Sequence, residues 1–205
     1  MSDFQDCILS YVDLNDVGRI LEGESRRGVR IMRKLHSLVA SYAYTLRAHE
    51  EVCFWQDSVL LVGHVTNTSE SYQRVMSDVV RLKDRIQKLN PCHAVCVKGQ
   101  SFPAPPVRAR PGKPKVIYLS ASSLAFSNAF HVERELGSHE ADWYIDSRIV
   151  KLCRFRAADL RKEVKLLPSN AKRKIHLYRG SPYAKDFHKY HINLEHPQRR
   201  KRPAR

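Results

Sequence analysis

The sequence lacks any uninterrupted apolar run near the roughly 20 residues needed to cross a bilayer, so we expect no transmembrane helix and no membrane contact. Its first residues, MSDFQDCILSY, lack the basic region and apolar stretch of a secretory signal, which favours a cytoplasmic protein. Cysteine is also sparse: the five cysteines are odd in number and scattered, so we expect free thiols rather than a disulfide framework.

Acidic residues are few, with 21 Asp and Glu against 36 Lys and Arg, giving a net charge of +15. Residues 172–205 hold 11 of the Lys and Arg and only 2 acids, a net of +9. The final QRRKRPAR has no periodicity, and we expect this tail to be partly disordered and to contact nucleic acid phosphates nonspecifically. No helix-turn-helix, zinc-finger or RNP-type pattern is present, so sequence-specific recognition is not expected.

Short apolar runs and helical spacings alternate through the first two thirds of the chain. We predict strands at 7–12, 52–55, 58–65, 93–97, 116–120 and 141–145, and helices at 26–51, 72–89 and 122–136. In the first helix the apolar residues recur at steps of three and four, and TNTSES supplies caps for the second. The proline-rich segment 101–115 is predicted to be a loop.

This order of elements is typical of an α+β fold. It suits a ferredoxin-like palm domain, an antiparallel sheet with helices on one face. We assign residues 1–167 to this domain and residues 168–205 to a basic C-terminal extension.

Two aspartates stand at strand ends that this topology makes neighbours. Asp13 follows the first strand, and Asp57 lies in the turn between the second and third strands. Paired carboxylates on rigid elements suit two hard cations that bridge substrate phosphates during an in-line displacement. Taken singly, each aspartate also fits a plainer role, Asp13 as a helix cap and Asp57 as a turn residue.

The segments SYVDLNDVG and FWQDSVLLVG, about forty residues apart, resemble the first two motifs of class III nucleotidyl cyclases. They are most similar to those of the compact bacterial antiphage branch, the Pycsar pyrimidine cyclases. SSLAFSNAFHVERELG and ADWYIDSRIV resemble the later helix and strand of that family, so the similarity spans residues 7 to 150.

The resemblance implies a metal-dependent conversion of a nucleoside triphosphate, CTP or UTP, into a 3',5'-cyclic mononucleotide that serves as an antiphage second messenger. Two Mg²⁺ or Mn²⁺ ions would be held by the side chains of Asp13 and Asp57 and the carbonyl of Leu14. Nucleotide-binding groups would be the amides of Asn15, Asp16 and Val17 together with Ser58.

The resemblance also implies a homodimer with sites shared between the two subunits. A cation would stabilise the charge that develops during phosphoryl transfer, and Arg134 and Lys98 are the candidates for it. Either side chain also fits a solvated surface, or a surface ion pair such as Arg134 with Glu133.

Three features depart from the family pattern. Asn15 and Asp16 stand where a small residue and glycine are usual, Gln56 replaces serine, and the fourth strand has no Arg-Gly-Gly segment. The alternative function is therefore a catalytically inactive cyclase-like domain that binds a nucleotide or nucleic acid through its basic surface.

Overall fold

The computed structural model describes residues 4–43, 45–46, 51–101, 129, 132, 141–153, 160–166 and 173–178. These residues form an α+β fold in which helices pack on a seven-stranded sheet. The strands are β1 (Gln5–Leu14), β2 (Glu51–Trp55), β3 (Ser58–His64), β4 (Cys92–Ser101), β5 (Trp143–Asp146), β6 (Leu160–Leu166) and β7 (Arg173–Tyr178). The helices are α1 (Val17–Gly23), α2 (Ser25–Ala43), α3 (Ser69–Gln87) and α4 (Ser147–Cys153).

The strand order β2-β3-β1-β4-β5-β7-β6 places β1 inside the sheet, paired with both β3 and β4. The predicted palm domain is confirmed. The sheet is mixed rather than wholly antiparallel, because β4 and β5 pair in parallel. Residues 102–142 separate these two strands, and a parallel pair needs a crossover connection of a dozen residues or more.

Each face of the sheet has its own apolar cluster, as alternation along the strands requires. On one face Ile8, Val12 and Leu14 of β1 pack with residues of α1, α2, α3 and α4. On the other face Cys7, Leu9 and Tyr11 pack with partners that include Ala129 and Val132, two residues in helical conformation. The four helices therefore lie on one face, and buried helical residues also cover part of the other.

The first predicted helix ends eight residues earlier than expected, at Ala43 instead of 51. Thr45 terminates it, because its backbone N–H and its Oγ1 both donate to the carbonyl of Tyr42, at 2.8 and 2.7 Å. The short helix α1 was not predicted from the sequence. Gly28 of α2 allows α1 to pack closely, since a Cβ at this position would lie 2.5 Å from Cδ2 of Leu21.

Helix α3 begins at Ser69, within the predicted cap segment TNTSES and three residues before the predicted first helical residue. The Oγ1 of Thr68 accepts a hydrogen bond from the backbone N–H of Ser71 at 3.3 Å, satisfying a donor of the first turn. The helix ends at Gln87, ahead of Pro91. Strand β4 follows and runs four residues beyond the predicted end at Val97.

The sheet continues past residue 167, where the C-terminal extension was expected to begin. Strand β7 lies beyond that point and pairs with both β5 and β6. Neither α4, β6 nor β7 was predicted. The predicted strand at 116–120, most of the predicted helix at 122–136 and the tail beyond 178 lie outside the described residues. No helix in the described part of the chain is long and apolar enough to cross a membrane.

Candidate functional site

Asp13 and Asp57 lie beside each other at one end of the sheet, as predicted. In the pairing of β1 with β3, Asp13 is directly opposite Ser58, the residue that follows Asp57. The backbone N–H of Leu14 donates to the carbonyl of Asp57 at 3.3 Å, which ties the end of β1 to the turn between β2 and β3. Both carboxylate side chains are half-buried. The two acids thus share one partly open edge of a rigid sheet.

Ser58 and His93 flank Asp13 on its two neighbouring strands. Both are fully buried, and both are paired directly with Asp13, Ser58 from β3 and His93 from β4. Directly paired residues point to the same side of a sheet. His93 also packs edge-on against Tyr144, with ring centroids 5.9 Å apart. The side chains on both sides of Asp13 are therefore fully buried.

The loop after β1 is held by three hydrogen bonds to Asn15. Its N–H donates to the carbonyl of Pro91 at 2.8 Å, and its own carbonyl accepts from Nδ2 of Asn90 at 2.9 Å. Its Oδ1 lies 2.8 Å from Nδ1 of His93. The Asn15 N–H is thus bonded within the chain, so the predicted contact of this amide with the triphosphate would replace that bond and stays a prediction. The spacing of residues in the sequence did not indicate that Asn90 and His93 would form hydrogen bonds with Asn15.

The described residues include two non-glycine residues with left-handed backbone conformation, and each lies beside one of the aspartates. Asp16 has φ 62° and follows Asp13 by three residues, whereas Gln56 has φ 52° and immediately precedes Asp57. Such conformations cost on the order of 1 kcal/mol or more and persist where the surrounding structure fixes them. Asp16 occupies the usual glycine position of the cyclase motif with a backbone geometry that glycine readily adopts.

His36 of α2 fixes the strained turn before Asp57. Its Nε2 donates to the carbonyl of Gln56 at 2.6 Å, and its ring lies 4.9 Å from the ring of Phe54 in β2. Gln56 and Asp57 form the turn between the paired residues Trp55 and Ser58. Glycine is the usual residue at a left-handed first position of such hairpins, so a contact from α2 compensates for the side chain present here.

A divalent cation fits this edge through its chemistry. Mg²⁺ is commonly bound by one or two carboxylates and completes its shell with water and substrate phosphates. Asp13 and Asp57 supply that number of carboxylates. Within the described ranges no group of three or more His, Cys, Asp or Glu side chains is arranged to hold a metal, so a closed cage of protein ligands is not formed there.

Lys98 does not lie near the aspartates within this chain. It pairs with Ile8, whereas Asp13 pairs with His93, so five strand residues, or about 17 Å, separate the two positions. Its Nζ is 3.0 Å from Oδ2 of Asp6. Burial disfavours its charged form, but the hydrogen bonds that its ammonium donates to Tyr72 and Asp6 outweigh this and raise the pKa of Lys98. Within one subunit Lys98 therefore forms an ion pair at the opposite end of β1, and its candidate role as a cation supplied to the partner's site stays a prediction; Arg134 lies outside the described residues.

The cysteines near the site are structural. Cys92 and Cys96 flank His93 as free, buried thiols. Burial raises the pKa of Cys92 to about 11 and that of Cys96 to about 12. Thiols with such pKa values stay protonated at neutral pH and are poor nucleophiles and metal ligands.

Comparison with known proteins identifies the fold. The sequence matches no protein-family model and no curated protein. The structure is similar to the guanylyl cyclase Cya2, with a TM-score of 0.55 and 12% identity over 89% of this chain and 96% of that one. It is also similar to the adenylyl cyclase CyaB from P. aeruginosa, with a TM-score of 0.53 and 10% identity over 87% and 96% of the two chains.

A third similar structure is the guanylate cyclase domain of RhGC from Catenaria anguillulae in complex with GTP. Its TM-score is 0.50 and its identity 10%, over 86% of this chain and 98% of that one. At these identities the likeness establishes the nucleotide cyclase fold.

Proposed function

We propose that the protein is a divalent-metal-dependent nucleotidyl cyclase. Its reaction forms a bond from the ribose 3'-oxygen to the α-phosphorus and breaks the bond from that phosphorus to the β-phosphate oxygen. The products are a 3',5'-cyclic mononucleotide and pyrophosphate. The observation that carries this proposal is the placement of Asp13 and Asp57 side by side at the end of β1 and the β2–β3 turn, in a fold shared with nucleotide cyclases.

Some groups of the chain would bind the metal ions and the triphosphate, and others position the loop that carries those groups. Asp13, Asp57 and the carbonyl of Leu14 would hold two Mg²⁺ or Mn²⁺ ions, which when bound supply charge stabilisation to the attacking and leaving oxygens. The amides of Asp16 and Val17 would bind the triphosphate. Asn15 positions this loop through its bonds to Asn90, Pro91 and His93.

The proposed substrate and the proposed homodimer rest on the resemblance of two sequence motifs to class III nucleotidyl cyclases. CTP or UTP is the proposed substrate, and an antiphage second messenger is the proposed product, because SYVDLNDVG and FWQDSVLLVG are most similar to the pyrimidine cyclase branch. A homodimer would complete each site with a cation from the partner subunit. Arg134 and Lys98 are the candidates for that cation, and Lys98 would exchange its ion pair with Asp6 for the substrate.

The test is to incubate the purified full-length protein with each of the four common ribonucleoside triphosphates and Mn²⁺, and to identify products by mass spectrometry. Formation of a cyclic mononucleotide from CTP or UTP is expected. Activity per subunit should fall on dilution, because a shared site requires the dimer. If no triphosphate is cyclised, the inactive nucleotide-binding domain becomes the better description.

Replacing His36 by alanine should displace Asp57 and weaken Mn²⁺ binding about 10-fold, the lower end of the usual effect of losing a positioning partner. Without the bond from Nε2, the strained turn at Gln56 relaxes away from its left-handed conformation. Adding Gln56→Gly should restore most of the affinity, since glycine adopts this conformation without a tether. Titration of Mn²⁺ by electron paramagnetic resonance measures both effects.

The matched control for His36→Ala is Ser37→Ala, an exposed position on the same helix, which should leave the Mn²⁺ affinity unchanged. If Gln56→Gly failed to rescue His36→Ala while both variants remained folded, the role assigned to His36 would be incorrect.

A further inference from the structure

Helix α2 carries an unusual concentration of positive charge. Its 19 residues contain no Asp or Glu, and all five of its Lys and Arg side chains are exposed. They fall in the first half of the helix, at Arg26, Arg27, Arg30, Arg33 and Lys34. The buried positions of the same helix, Gly28, Leu35, Val39 and Tyr42, face the core. The outer face of α2 is therefore a basic surface on a helix anchored to the domain.

The spacing of these cations puts three of them in one row. Arg26, Arg30 and Arg33 are separated by four and three residues, which places them on the same side of a helix over about 10 Å. They line a surface groove together with Ser25 and Val29. A second groove is formed where α1 meets α2 and is lined by three arginines and one acid, together with Gly23 and Ser25: Arg26, Arg27, Arg30 and Glu24.

Most of this charge has no protein partner in the part of the chain that the structure describes. Arg27 pairs with Glu24 at 3.6 Å. No described carboxylate forms an ion pair with Arg26, Arg30, Arg33 or Lys34. Arg26 and Arg27 also lie in the first turn, near the positive end of the helix dipole, and that turn contains no acid to offset it. An external anion would relieve this repulsion.

We propose that the outer face of α2 binds the phosphate backbone of a nucleic acid. Four of the five cations are arginines, whose planar guanidinium groups donate paired hydrogen bonds to phosphate oxygens. A row of such groups on a rigid helix matches a repeating polyanion, and it contains no feature that would read a base sequence.

A lipid surface fits α2 less well. A helix that lies on a membrane inserts its apolar face among the lipids. The apolar face of α2 is used in the core, and on its outer side Val29, 38% exposed, is the large apolar residue that the structure shows exposed. The surface has the charge for anionic lipid but lacks the apolar contact.

The experiment measures binding of the full-length protein to a fluorescein-labelled oligouridylate, and in parallel to a DNA duplex, over a range of salt concentrations. The triple variant Arg26→Gln, Arg30→Gln, Arg33→Gln should bind about 10-fold or more weakly. Its salt slope for the single strand should be smaller by about 2, since each phosphate contact contributes about 0.7. Glutamine has a helix propensity close to that of arginine, so α2 should persist.

The matched control is the triple variant Lys88→Gln, Arg148→Gln, Lys151→Gln, which removes the same charge from exposed positions on α4 and just after α3. It should bind nearly as well as the wild type. Equal losses in both triple variants, or no loss in the α2 variant, would overturn the proposal. Binding to phosphatidylserine vesicles without binding to either nucleic acid would also overturn it. The single variant Arg30→Gln provides the same comparison if the triple variant is unstable.

Discussion

Replacing Asp57 by asparagine is expected to lower the rate of cyclisation on the order of 1,000-fold, and Asp13→Asn should do the same. Asparagine keeps the shape of the side chain but removes the negative charge that holds a divalent ion against the substrate phosphates. Charge stabilisation by such an ion contributes several kcal/mol, and each 1.36 kcal/mol is a factor of ten in rate. Steady-state cyclisation of the preferred triphosphate with Mn²⁺ measures the loss.

The control for these variants is Asp84→Asn, which changes an exposed carboxylate on α3 that is not assigned to the site. It should keep full activity. Mn²⁺ affinity, measured without substrate, should fall in Asp13→Asn and Asp57→Asn but not in Asp84→Asn. A wild-type rate in Asp57→Asn would contradict the assignment of this carboxylate even if the protein proved to be a cyclase.

Replacing Trp143 by alanine should lower the free energy of unfolding by about 3 to 5 kcal/mol, the usual loss for a large aromatic residue in a packed core. Its side chain is 2% exposed, and its backbone joins β5 to Ala94 of β4 and to Tyr178 of β7. The Nζ of Lys83 lies 5.2 Å from its ring. Because natural domains are stable by only about 5 to 15 kcal/mol, a large share of the stability depends on this residue.

Urea unfolding followed by circular dichroism measures this change. Phe4→Ala is the matched control, because that aromatic side chain is 52% exposed and should contribute little. Similar midpoints for the two variants would contradict the burial of Trp143 in the core.

The sequence predicted elements whose signals are local. Apolar runs placed β1 to β4, and Thr68 and Pro91 bracketed α3, because caps and breakers act within a few residues. Helix α2 was predicted too long because the apolar spacing continues to Leu46, whereas Thr45 ends the helix through a side-chain bond that periodicity does not reveal. Strands β6 and β7 were missed, since basic residues interrupt their apolar pattern and pairing with β5 defines them.

The residues of the candidate site likewise fall into two groups, those placed by local sequence patterns and those whose contacts depend on residues distant in sequence. The motif spacing placed Asp13 and Asp57 together, because the hairpin must pair beside β1. The contacts of Asn15 and His36 come from residues distant in sequence and became visible only in three dimensions. The position of Lys98 depended on the register of β4, which no local pattern specifies.

The two aspartates differ in how firmly the chain holds them. Asp13 belongs to a strand that is bonded along both of its sides, so freeing it means breaking two ladders and opening the middle of the sheet. Asp57 lies in the turn of the hairpin formed by β2 and β3. This hairpin is paired with the rest of the sheet through a single ladder, that between β3 and β1. Within this hairpin β2 is the edge strand and β3 is buried, so local opening is expected to begin at β2. In the proposed metal site, the ligand in the β2–β3 turn would therefore be displaced before the ligand on β1 when the sheet begins to open at this edge.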